Sequence, residues 1–353
     1  MHFEKYLLEQ IHKHPSVQPQ DLVKLCYQAA FGAEHLLSDL DGARNYLERE
    51  LAAVEAREGE LCENISNSVC RVDLGAWKGT GLPAEWLFQM FAASAAVSGS
   101  GQDLFSEYLT IAGKTVQGQQ VQFLLRDWHS YLERYRAAGI GPVHHSACYR
   151  QQEKPSYRII DRQYARLLPV LELAASAAKK IPKDRVCVIA IDGRAAAGKS
   201  TAAGQLKRIL GAEVVHMDDF FLPPKLRSRE RFAQPGGNVH YERFLEEVWP
   251  YLARPQSFSY RVFDCSKMDY AGERGVGSAD FRIVEGSYSC HPQFGPYADV
   301  TVFLDVEPEE QMHRILCRDG SEMAEMFRHN WIPLEEKYFE TFGILQKADA
   351  VLG

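Results

Sequence analysis

The chain has 353 residues, of which 46% are hydrophobic and 25% charged, and its formal net charge is −7. This composition is typical of a soluble globular protein, and the length favours two domains over one. The negative charge argues against a general binder of nucleic acid, and no apolar run is long enough for a membrane span. Because the first residues do not resemble a signal peptide, we expect a cytoplasmic protein.

The first half of the chain shows the apolar spacing of amphipathic helices. Apolar side chains recur every three or four positions in the segments 3–14, 22–29, 41–54, 83–97, 103–112 and 119–137. We therefore predict an all-α domain over residues 1–180. The polar, proline-containing segment 179–184 is the predicted boundary to a second domain over residues 181–353.

Segments rich in histidine, tyrosine and arginine lie between these helices. One contains His144 and His145, and another contains Tyr157 and Arg158. These four side chains could give the first half an enzyme activity of its own, in a pocket that binds a metal or moves protons. We favour the alternative that they pair with one another in loops packed on the helices. Adjacent histidines on an extended segment point to opposite faces and therefore rarely bind one metal together.

The second half opens with an apolar strand that leads into a glycine-rich loop. Residues 186–191 predict a buried parallel strand, and the next residues fit G-x-x-x-x-G-K-[ST] at every fixed position. The glycines let backbone N–H groups converge on a polyphosphate, and the following helix adds the positive end of its dipole. The predicted phosphate-binding loop consists of Gly193, Ala195, Ala196, Ala197, Gly198, Lys199, Ser200 and Thr201.

Each residue type in this loop has a chemical reason to be there. The Lys199 ammonium would reach the β- and γ-phosphates of a nucleotide, and the Ser200 hydroxyl would hold a Mg²⁺ ion. The alternative is a chance match in a turn rich in glycine and alanine. Because a strand precedes the loop and helix-forming residues follow it, we adopt the phosphate-binding interpretation.

Acidic residues stand where two further strands are predicted to end. Asp218 and Asp219 follow a strand over 212–217, and Glu285 closes an apolar strand that begins at residue 281. Open α/β sheets place their ligands at the carboxyl ends of strands. Asp218 is therefore predicted to be a general base or a ligand of Mg²⁺-bound water, and Glu285 a Mg²⁺ ligand. The alternatives are solvated turn aspartates and an ordinary acid at a strand end.

These motifs resemble those of the uridine kinase and nicotinamide riboside kinase family of P-loop small-molecule kinases. The resemblance rests on GRAAAGKST, HMDDFFLP, VEGSY and ADAVL, and it covers about residues 186–353. It implies an α/β P-loop kinase domain with a parallel sheet flanked by helices, and ATP and Mg²⁺ as cofactors. It also implies that Asp218 is the catalytic base and that Glu285 helps to organise Mg²⁺. Residues 1–180 resemble no family that we recognise.

The resemblance also suggests which residues surround the transferred group. Arg314 and Arg318 lie on a helix that resembles the family's lid, where guanidinium groups stabilise charge on the phosphoryl oxygens. Salt bridges on the helix surface are the alternative for both arginines. With Lys199 and Asp218, Arg318 completes the predicted catalytic set.

The predicted acceptor segments depart from the uridine kinase pattern and are more similar to those of riboside kinases. An arginine stands where that pattern has an acid, which suggests a carboxylate or phosphate on the acceptor. The alternative is a surface pair between this arginine, Arg261, and Asp264 or Asp269. The predicted substrate contacts are Asp218, His240, Tyr241, Glu242, Tyr260 and Arg261.

The sequence thus predicts a kinase that uses ATP and Mg²⁺ to phosphorylate a hydroxyl group of a small metabolite, a nucleoside or a riboside. A second hypothesis, of a different class, is a regulatory ATPase in which nucleotide binding switches the helical domain between two states. The small-molecule acceptor is the predicted partner, with neither nucleic acid nor a membrane. A homo-oligomer is compatible with the sequence.

Overall fold

The computed structural model describes residues 2–33, 39–96 and 101–353 of the chain. The chain divides into two compact units, Met1–Arg166 and Leu167–Gly353. This division lies before the segment 179–184 that we proposed as the boundary. The reason is that the helix Leu168–Ala178 packs against two strands of the second unit's sheet and therefore belongs to that unit.

The first unit is mainly helical, as the apolar periodicity predicts. The helix α2 contacts α6 and α7, and α1 contacts α6, so the apolar faces of these helices pack together. Residue 97, at the end of one predicted helix, lies outside the described residues. The helices are α1 (His2–Lys13), α2 (Pro19–Phe31), α3 (Leu40–Ala53), α4 (Leu74–Thr80), α5 (Ala84–Ala95), α6 (Gln102–Gln117), α7 (Leu125–Ala137), α8 (Ala147–Glu153) and α9 (Arg162–Ala165).

The first unit also contains a small antiparallel sheet, so the prediction of an all-α domain was incomplete. Its strands β1 (Cys62–Asn64), β2 (Val69–Asp73) and β3 (Tyr157–Asp161) pair in the order β1-β2-β3. The strands are short, and the buried Arg71 interrupts the apolar pattern of β2. Sequence periodicity therefore missed the sheet, because a buried charged residue in a five-residue strand removes the expected signal.

The second unit has the predicted α/β architecture. Its parallel sheet has the strand order β10-β9-β4-β8-β5, and helices flank it. A separate antiparallel ribbon is formed by β6 and β7. The strands are β4 (Cys187–Gly193), β5 (Glu213–His216), β6 (Phe258–Asp264), β7 (Asp269–Val276), β8 (Phe281–Glu285), β9 (Val300–Leu304) and β10 (Ala350–Leu352).

The described residues of this unit form eight α-helices, four of 11 to 19 residues and four of four to seven residues. Within the described ranges, no helix is both long enough and apolar enough to cross a membrane. The helices of this unit are α10 (Leu168–Ala178), α11 (Lys199–Leu210), α12 (Arg229–Phe232), α13 (Tyr241–Glu247), α14 (Trp249–Leu252), α15 (Pro308–Met326), α16 (Ile332–Phe342) and α17 (Ile344–Lys347).

The central strand β4 is buried along its whole length and lies between β9 and β8. In the parallel register, Ile191 pairs with Glu285, and His216 pairs with Glu285 from the other side. The chain therefore leaves β4, β5 and β8 at the same edge of the sheet. This edge brings the predicted phosphate loop close to the two strand ends that carry the predicted acids.

The last residue of β4 must be a glycine for the loop to leave the sheet in this way. Gly193 has a φ of +136°, and a Cβ atom on it would lie 2.1 Å from the Leu304 carbonyl oxygen on β9. A side chain is therefore excluded both by the backbone conformation and by the neighbouring strand. By contrast, Gly204 in the middle of α11 has no neighbour within 4 Å of such an atom.

We expect Gly193→Ala to lower the free energy of unfolding of the second unit by about 1–3 kcal/mol, because the added methyl group overpacks the β4–β9 contact. Native-state hydrogen exchange of β4 amides in the full chain measures this change. The matched control, Gly204→Ala, should stabilise α11 by about 0.4–1 kcal/mol. Equal protection of β4 in the wild type and Gly193→Ala would contradict the expected clash.

Candidate active site

A cleft of about 720 Å³ lies at the carboxyl edge of the parallel sheet. Its walls are the loop after β4, the residues that follow β5, the end of β8, and the helical segment from α15 to α16. This volume is within the range of sites that bind small molecules. The cleft is therefore where the predicted site residues have to meet if they act together.

The loop after β4 has the tight geometry that the glycine spacing predicts. Gly198 adopts a left-handed conformation with a φ of +93° and immediately precedes α11. The Lys199 side chain lines the cleft, and its ammonium donates to the carbonyl oxygens of Gly193 at 2.7 Å and Arg194 at 2.9 Å. Lys199 thus closes the loop on itself at the amino-terminal end of α11, where an anion is favoured.

Ser200 and Glu285 form the second part of the site. The Ser200 hydroxyl lies 3.3 and 3.2 Å from the two carboxylate oxygens of Glu285, and the His216 Nδ1 atom lies 2.5 Å from one of them. Glu285 is 4% exposed at the end of β8. Hydroxyl and carboxylate oxygens are the ligand atoms that Mg²⁺ prefers, so these residues fit such an ion.

The metal site expected here would have few protein ligands. Within the described part of the chain, no group of three or more histidine, cysteine, aspartate or glutamate side chains could hold a metal ion. Mg²⁺ commonly keeps several water ligands and binds one or two protein oxygens together with substrate phosphates. The pair of Ser200 and Glu285 is compatible with that form of coordination.

The two adjacent aspartates after β5 face different surroundings. Both belong to a 3₁₀ turn, Met217–Phe220, in which Asp218 is exposed to the cleft and Asp219 is buried. The Asp219 carboxylate accepts a hydrogen bond of 2.9 Å from the Tyr260 hydroxyl and pairs with Arg274 at 3.2 Å. Asp219 therefore connects the turn to the β6–β7 ribbon, whereas Asp218 lines the cleft.

The environment of Asp218 changes its acidity. Although water reaches this side chain from the cleft, the surrounding protein desolvates it, and this desolvation raises its pKa above the ordinary value. The negative charge of Glu285 raises the pKa further. A carboxylate with a raised pKa is a stronger base than an ordinary aspartate.

The five other residues predicted to contact the acceptor do not line the cleft. Tyr260 is buried against Asp219, and Arg261 pairs with Glu247 through an Nε–Oε1 contact of 2.6 Å. The surface pair that we considered for Arg261 is therefore present, but with Glu247 instead of Asp264 or Asp269.

The predicted acceptor residues at the start of α13 also lie outside the lining of the cleft. Glu242 is exposed and pairs with Arg231 at 2.8 Å, and the guanidinium of Arg231 lies 3.7 Å from the centre of the Tyr241 ring. His240 is half-buried beside them and does not line the cleft. The contacts of Arg231 stabilise the folded segment and account for the aromatic and charged character of Tyr241 and Glu242 without a substrate.

Other side chains occupy the wall that those residues were expected to form. Asn238 is 5% exposed, lines the cleft, and its Oδ1 atom has no hydrogen-bond partner in the described part of the chain. A glycine pair precedes Asn238 and was the only sequence signal at this position. The same wall contains Phe221, Arg227, Phe232, Cys265 and Met268.

The opposite wall contains the two predicted lid arginines. Arg314 pairs with Glu310 at 2.7 Å and donates to the Ala196 carbonyl oxygen at 3.2 Å, and Arg318 pairs with Asp319 at 2.8 Å. Both arginines line the cleft as well as making these pairs. Both arginines therefore make the helix-surface salt bridges that were the alternative, and Arg314 also contacts the loop after β4.

The helix that carries these arginines is interrupted. Gly320 in α15 has a φ of +83° and a ψ of 175°, which are not helical values, and a π-helical turn, Phe327–Trp331, joins α15 to α16. Beyond Gly320, this segment adds an apolar surface to the cleft, formed by Met323, Met326, Phe327 and Trp331. Aromatic and thioether side chains of this kind suit a planar ring system.

Buried carboxylates hold the phosphate loop in place. Glu335 on α16 accepts hydrogen bonds from the Ala195 amide at 2.9 Å and from the Ser287 hydroxyl at 2.6 Å. Burial raises the pKa of Glu335 above its ordinary value. Because Ser287 follows β8, Glu335 connects the loop after β4 to the loop after β8.

Asp192 makes a similar connection from the end of β4. It is fully buried, and it accepts hydrogen bonds from the amides of Gly193 at 2.8 Å, Tyr288 at 3.1 Å and Cys290 at 3.0 Å. The Tyr338 hydroxyl on α16 donates a fourth bond of 2.8 Å. Burial raises the pKa of Asp192. The sequence pattern did not indicate a role for either of these two acids.

Comparisons with known proteins give fold-level similarities and no family. No family model matches the chain. The structure described as a possible uridine kinase from Bacillus stearothermophilus is 22% identical, with a TM-score of 0.38, and the match covers 52% of this chain and 99% of that one. A protein described as a fructose transport system kinase from Silicibacter sp. TM1040 is 21% identical, with a TM-score of 0.42, and the match covers 51% and 98%.

A third solved structure is the D-glycerate 3-kinase from Cryptococcus neoformans. It is 16% identical, with a TM-score of 0.36, and the match covers 49% of this chain and 87% of that one. The amino-terminal half of this chain is unmatched in these comparisons. At these identities and TM-scores, the similarities carry no conclusion about the reaction.

We expect Asp192→Asn to destabilise the second unit by about 1–3 kcal/mol, because the amide –NH₂ group would face backbone N–H donors inside the protein. Hydrogen exchange of β4 and α16 amides in the full chain measures the loss. Asp184→Asn, at an exposed position before β4, is the matched control and should change nothing. Unchanged protection in Asp192→Asn would show that the four hydrogen bonds do not stabilise this edge of the sheet.

Proposed function

We propose that the second unit transfers the γ-phosphoryl group of ATP, in the presence of Mg²⁺, to a hydroxyl group of a small metabolite. One observation supports this proposal above all others. The same cleft contains the predicted phosphate-binding loop, a Ser200–Glu285 pair suited to Mg²⁺, and the carboxylate of Asp218, which pairs with none of the described side chains. Phosphoryl transfer needs phosphate positioning, a metal and a group that accepts the hydroxyl proton.

The phosphate side of the cleft would act by position and charge. The amides of the loop and the amino-terminal end of α11 would bind the polyphosphate, with Lys199 exchanging its carbonyl partners for phosphate oxygens. Arg314 and Arg318 would stabilise the charge that spreads over the phosphoryl oxygens. Mg²⁺, held by Ser200 and Glu285, would supply further neutralisation of phosphate charge.

On the acceptor side, the proton leaves through Asp218. The acceptor oxygen forms a bond to the γ-phosphorus, its O–H bond breaks, and the proton moves to the Asp218 carboxylate. The bond between the γ-phosphorus and its bridging oxygen breaks, and ADP leaves with the electron pair. The raised pKa of Asp218 makes its carboxylate a stronger base. Above that pKa the carboxylate is ionised and can accept the proton.

We further propose that the acceptor is a nucleoside or a riboside. Its ring would lie on the apolar surfaces of the cleft, where aromatic side chains favour stacking. The buried Oδ1 atom of Asn238 has no partner in the described part of the chain, so a hydroxyl or amino donor of the acceptor would satisfy it. Asn238, Phe221 and Arg227 thus take the acceptor roles that we first gave to the segments around Tyr241 and Tyr260.

We expect Asp218→Asn to lower turnover by about 10²- to 10⁴-fold, the usual contribution of a positioned base, with little change in ATP affinity. Steady-state rates and equilibrium ATP binding, measured on the same preparations, separate the two effects. Asp103→Asn, at an exposed position in the first unit, is the control for a loss of one surface charge. If Asp218→Asn retained wild-type turnover, Asp218 would not be the base.

The acceptor requirement is tested by ADP production with ATP and Mg²⁺ across a panel of nucleosides, ribosides, pantothenate and sugar alcohols. We expect one class to stimulate ADP production in the wild type, and no stimulation in Lys199→Ala, because the phosphate loop is then impaired. A slow rate that is the same with every acceptor would contradict the kinase proposal. It would instead support the regulatory ATPase that we considered from the sequence.

A further inference from the structure

The first unit contains a cavity of its own, with a volume of about 450 Å³. It is lined by polar side chains from α2, α3 and β3 and by the loop before α8, including Lys24, Gln28, Glu50, His145, Tyr157 and Arg158. Apolar lining comes from Tyr46 and Phe91. The volume and the mixed lining are those of a small-molecule site. The proposed kinase reaction uses none of these residues.

A chain of hydrogen bonds leads from the interior to this cavity. The Asp21 carboxylate lies 2.9 Å from His145 Nδ1, and His145 Nε2 lies 2.6 Å from the Tyr157 hydroxyl. Gln28 lies next to the same hydroxyl, with its Nε2 atom 3.2 Å away. The chain thus ends with Tyr157 and Gln28, both of which line the cavity.

The protonation states in this chain follow from its surroundings. Burial acts to raise the pKa of Asp21, but hydrogen bonds from His145 and Ser146 outweigh it and hold the pKa below its ordinary value. Burial lowers the pKa of His145 to about 4, so the ring is neutral at neutral pH. His145 therefore donates from Nδ1 to the Asp21 carboxylate and accepts from Tyr157 at Nε2. The Tyr157 oxygen accepts from the Gln28 Nε2 group, and its second lone pair is available to a further donor.

Among the described residues, three cations lie near the cavity, and two of them, Arg158 and Arg71, already have side-chain partners. Arg158 forms an ion pair with Glu50. Arg71 is buried, and it donates to the side-chain oxygens of Gln10 at 2.8 Å and Gln28 at 2.7 Å. Its guanidinium also lies 4.5 Å from the centre of the Tyr157 ring. These contacts fix Arg158 in the wall of the cavity and hold Arg71 against the ring of Tyr157, which lines it.

Lys24 differs from these arginines. Its ammonium is half-buried, and it donates to the Val143 carbonyl oxygen at 2.9 Å. In the described ranges, no carboxylate lies within ion-pair distance of it. Burial and, to a smaller extent, the positive charge of Arg71 lower the pKa of Lys24 to about 8. A desolvated ammonium without an anionic partner costs free energy, which an anion bound in the cavity would offset.

We propose that this cavity is a second ligand site, which binds a small molecule through one carboxylate or phosphate group paired with Lys24. The Tyr157 hydroxyl, oriented by His145 and Asp21, accepts a hydrogen bond from a donor on the same molecule. The rings of Tyr46 and Phe91 provide apolar contacts for its body. Carboxylate and phosphate share the chemistry that Lys24 recognises, and probes that carry one group or the other distinguish them.

The test is isothermal titration of the full chain with two matched pairs of probes, acetate with inorganic phosphate and benzoate with phenyl phosphate. We expect at least one probe to bind the wild type, and its affinity to fall about tenfold or more in Lys24→Met, because a charge-assisted contact is lost. Lys5→Met, at an exposed lysine on α1, is the matched control and should bind as the wild type does.

Further variants separate binding in this cavity from binding at the phosphate loop. Lys199→Ala should keep the wild-type affinity, because a phosphate probe bound at the phosphate loop would instead depend on Lys199.

Tyr157→Phe retains the ring over Arg71 but loses the hydroxyl, and we expect at most a few-fold weaker binding of probes that carry no donor. Lys24→Met replaces a half-buried ammonium with an apolar side chain, so the variant should fold, which its circular dichroism verifies.

The pH dependence gives an independent readout with benzoate, whose carboxylate does not titrate above neutral pH. Lys24 lies near Asp21 on α2, Arg71 on β2, His145 and Tyr157, and Asp39, Glu50 and Arg158 line the same cavity. The pKa of Lys24 is about 8. Binding should therefore weaken about tenfold between pH 7 and pH 9, as Lys24 loses its proton. The proposal is overturned if no probe binds, if Lys24→Met binds equally well, or if the affinity does not change over this pH range.

Discussion

The architecture of the second unit depends on two buried carboxylates, each of which accepts several hydrogen bonds at one edge of the sheet. Asp192 joins the end of β4 to the chain that follows β8 and to α16, and Glu335 joins α16 to the phosphate loop. Each buried charge is tolerated because several donors surround it. The phosphate loop and Glu285 are thereby held in a fixed relation before any ligand binds. Such preorganisation is the main way in which proteins accelerate phosphoryl transfer.

How much could be predicted from the sequence depended on whether the signal was local. The strand, loop and helix from β4 to α11 are encoded in consecutive residues, and the parallel sheet was confirmed. Only the family resemblance singled out Asp218 over Asp219, because no apolar periodicity shows which of two adjacent acids a 3₁₀ turn directs into the cleft. The alternation along β6 turns Tyr260 inward to Asp219 and leaves Arg261 to pair with Glu247. Only the tertiary partners distinguish such roles from substrate contacts.

The first unit shows the same limit of prediction from local sequence. Its histidines and tyrosine were expected to satisfy one another, and His145 does bond to Tyr157. The sequence could not show that this pair also borders a cavity, because Asp21, Lys24 and Gln28 come from a helix more than a hundred residues earlier. Nor could the sequence show that Arg71, in the short strand β2, would be buried and bonded to the side chains of Gln10 and Gln28. Long-range polar contacts of this kind leave no periodic pattern.

The buried carboxylates of the second unit also affect how that unit takes up protons when it folds. Because burial raises the pKa values of Asp192 and Glu335, the folded unit binds protons more readily than the unfolded chain does. Their contribution to stability is fully present below the ordinary carboxyl pKa and is lost as the pH rises through the raised values. Once the pH exceeds the raised pKa values, the ionised acids hold the phosphate loop at a cost in stability. Acidification through these pKa values relieves that cost, so from these two groups alone the fold becomes more stable as the medium turns acidic.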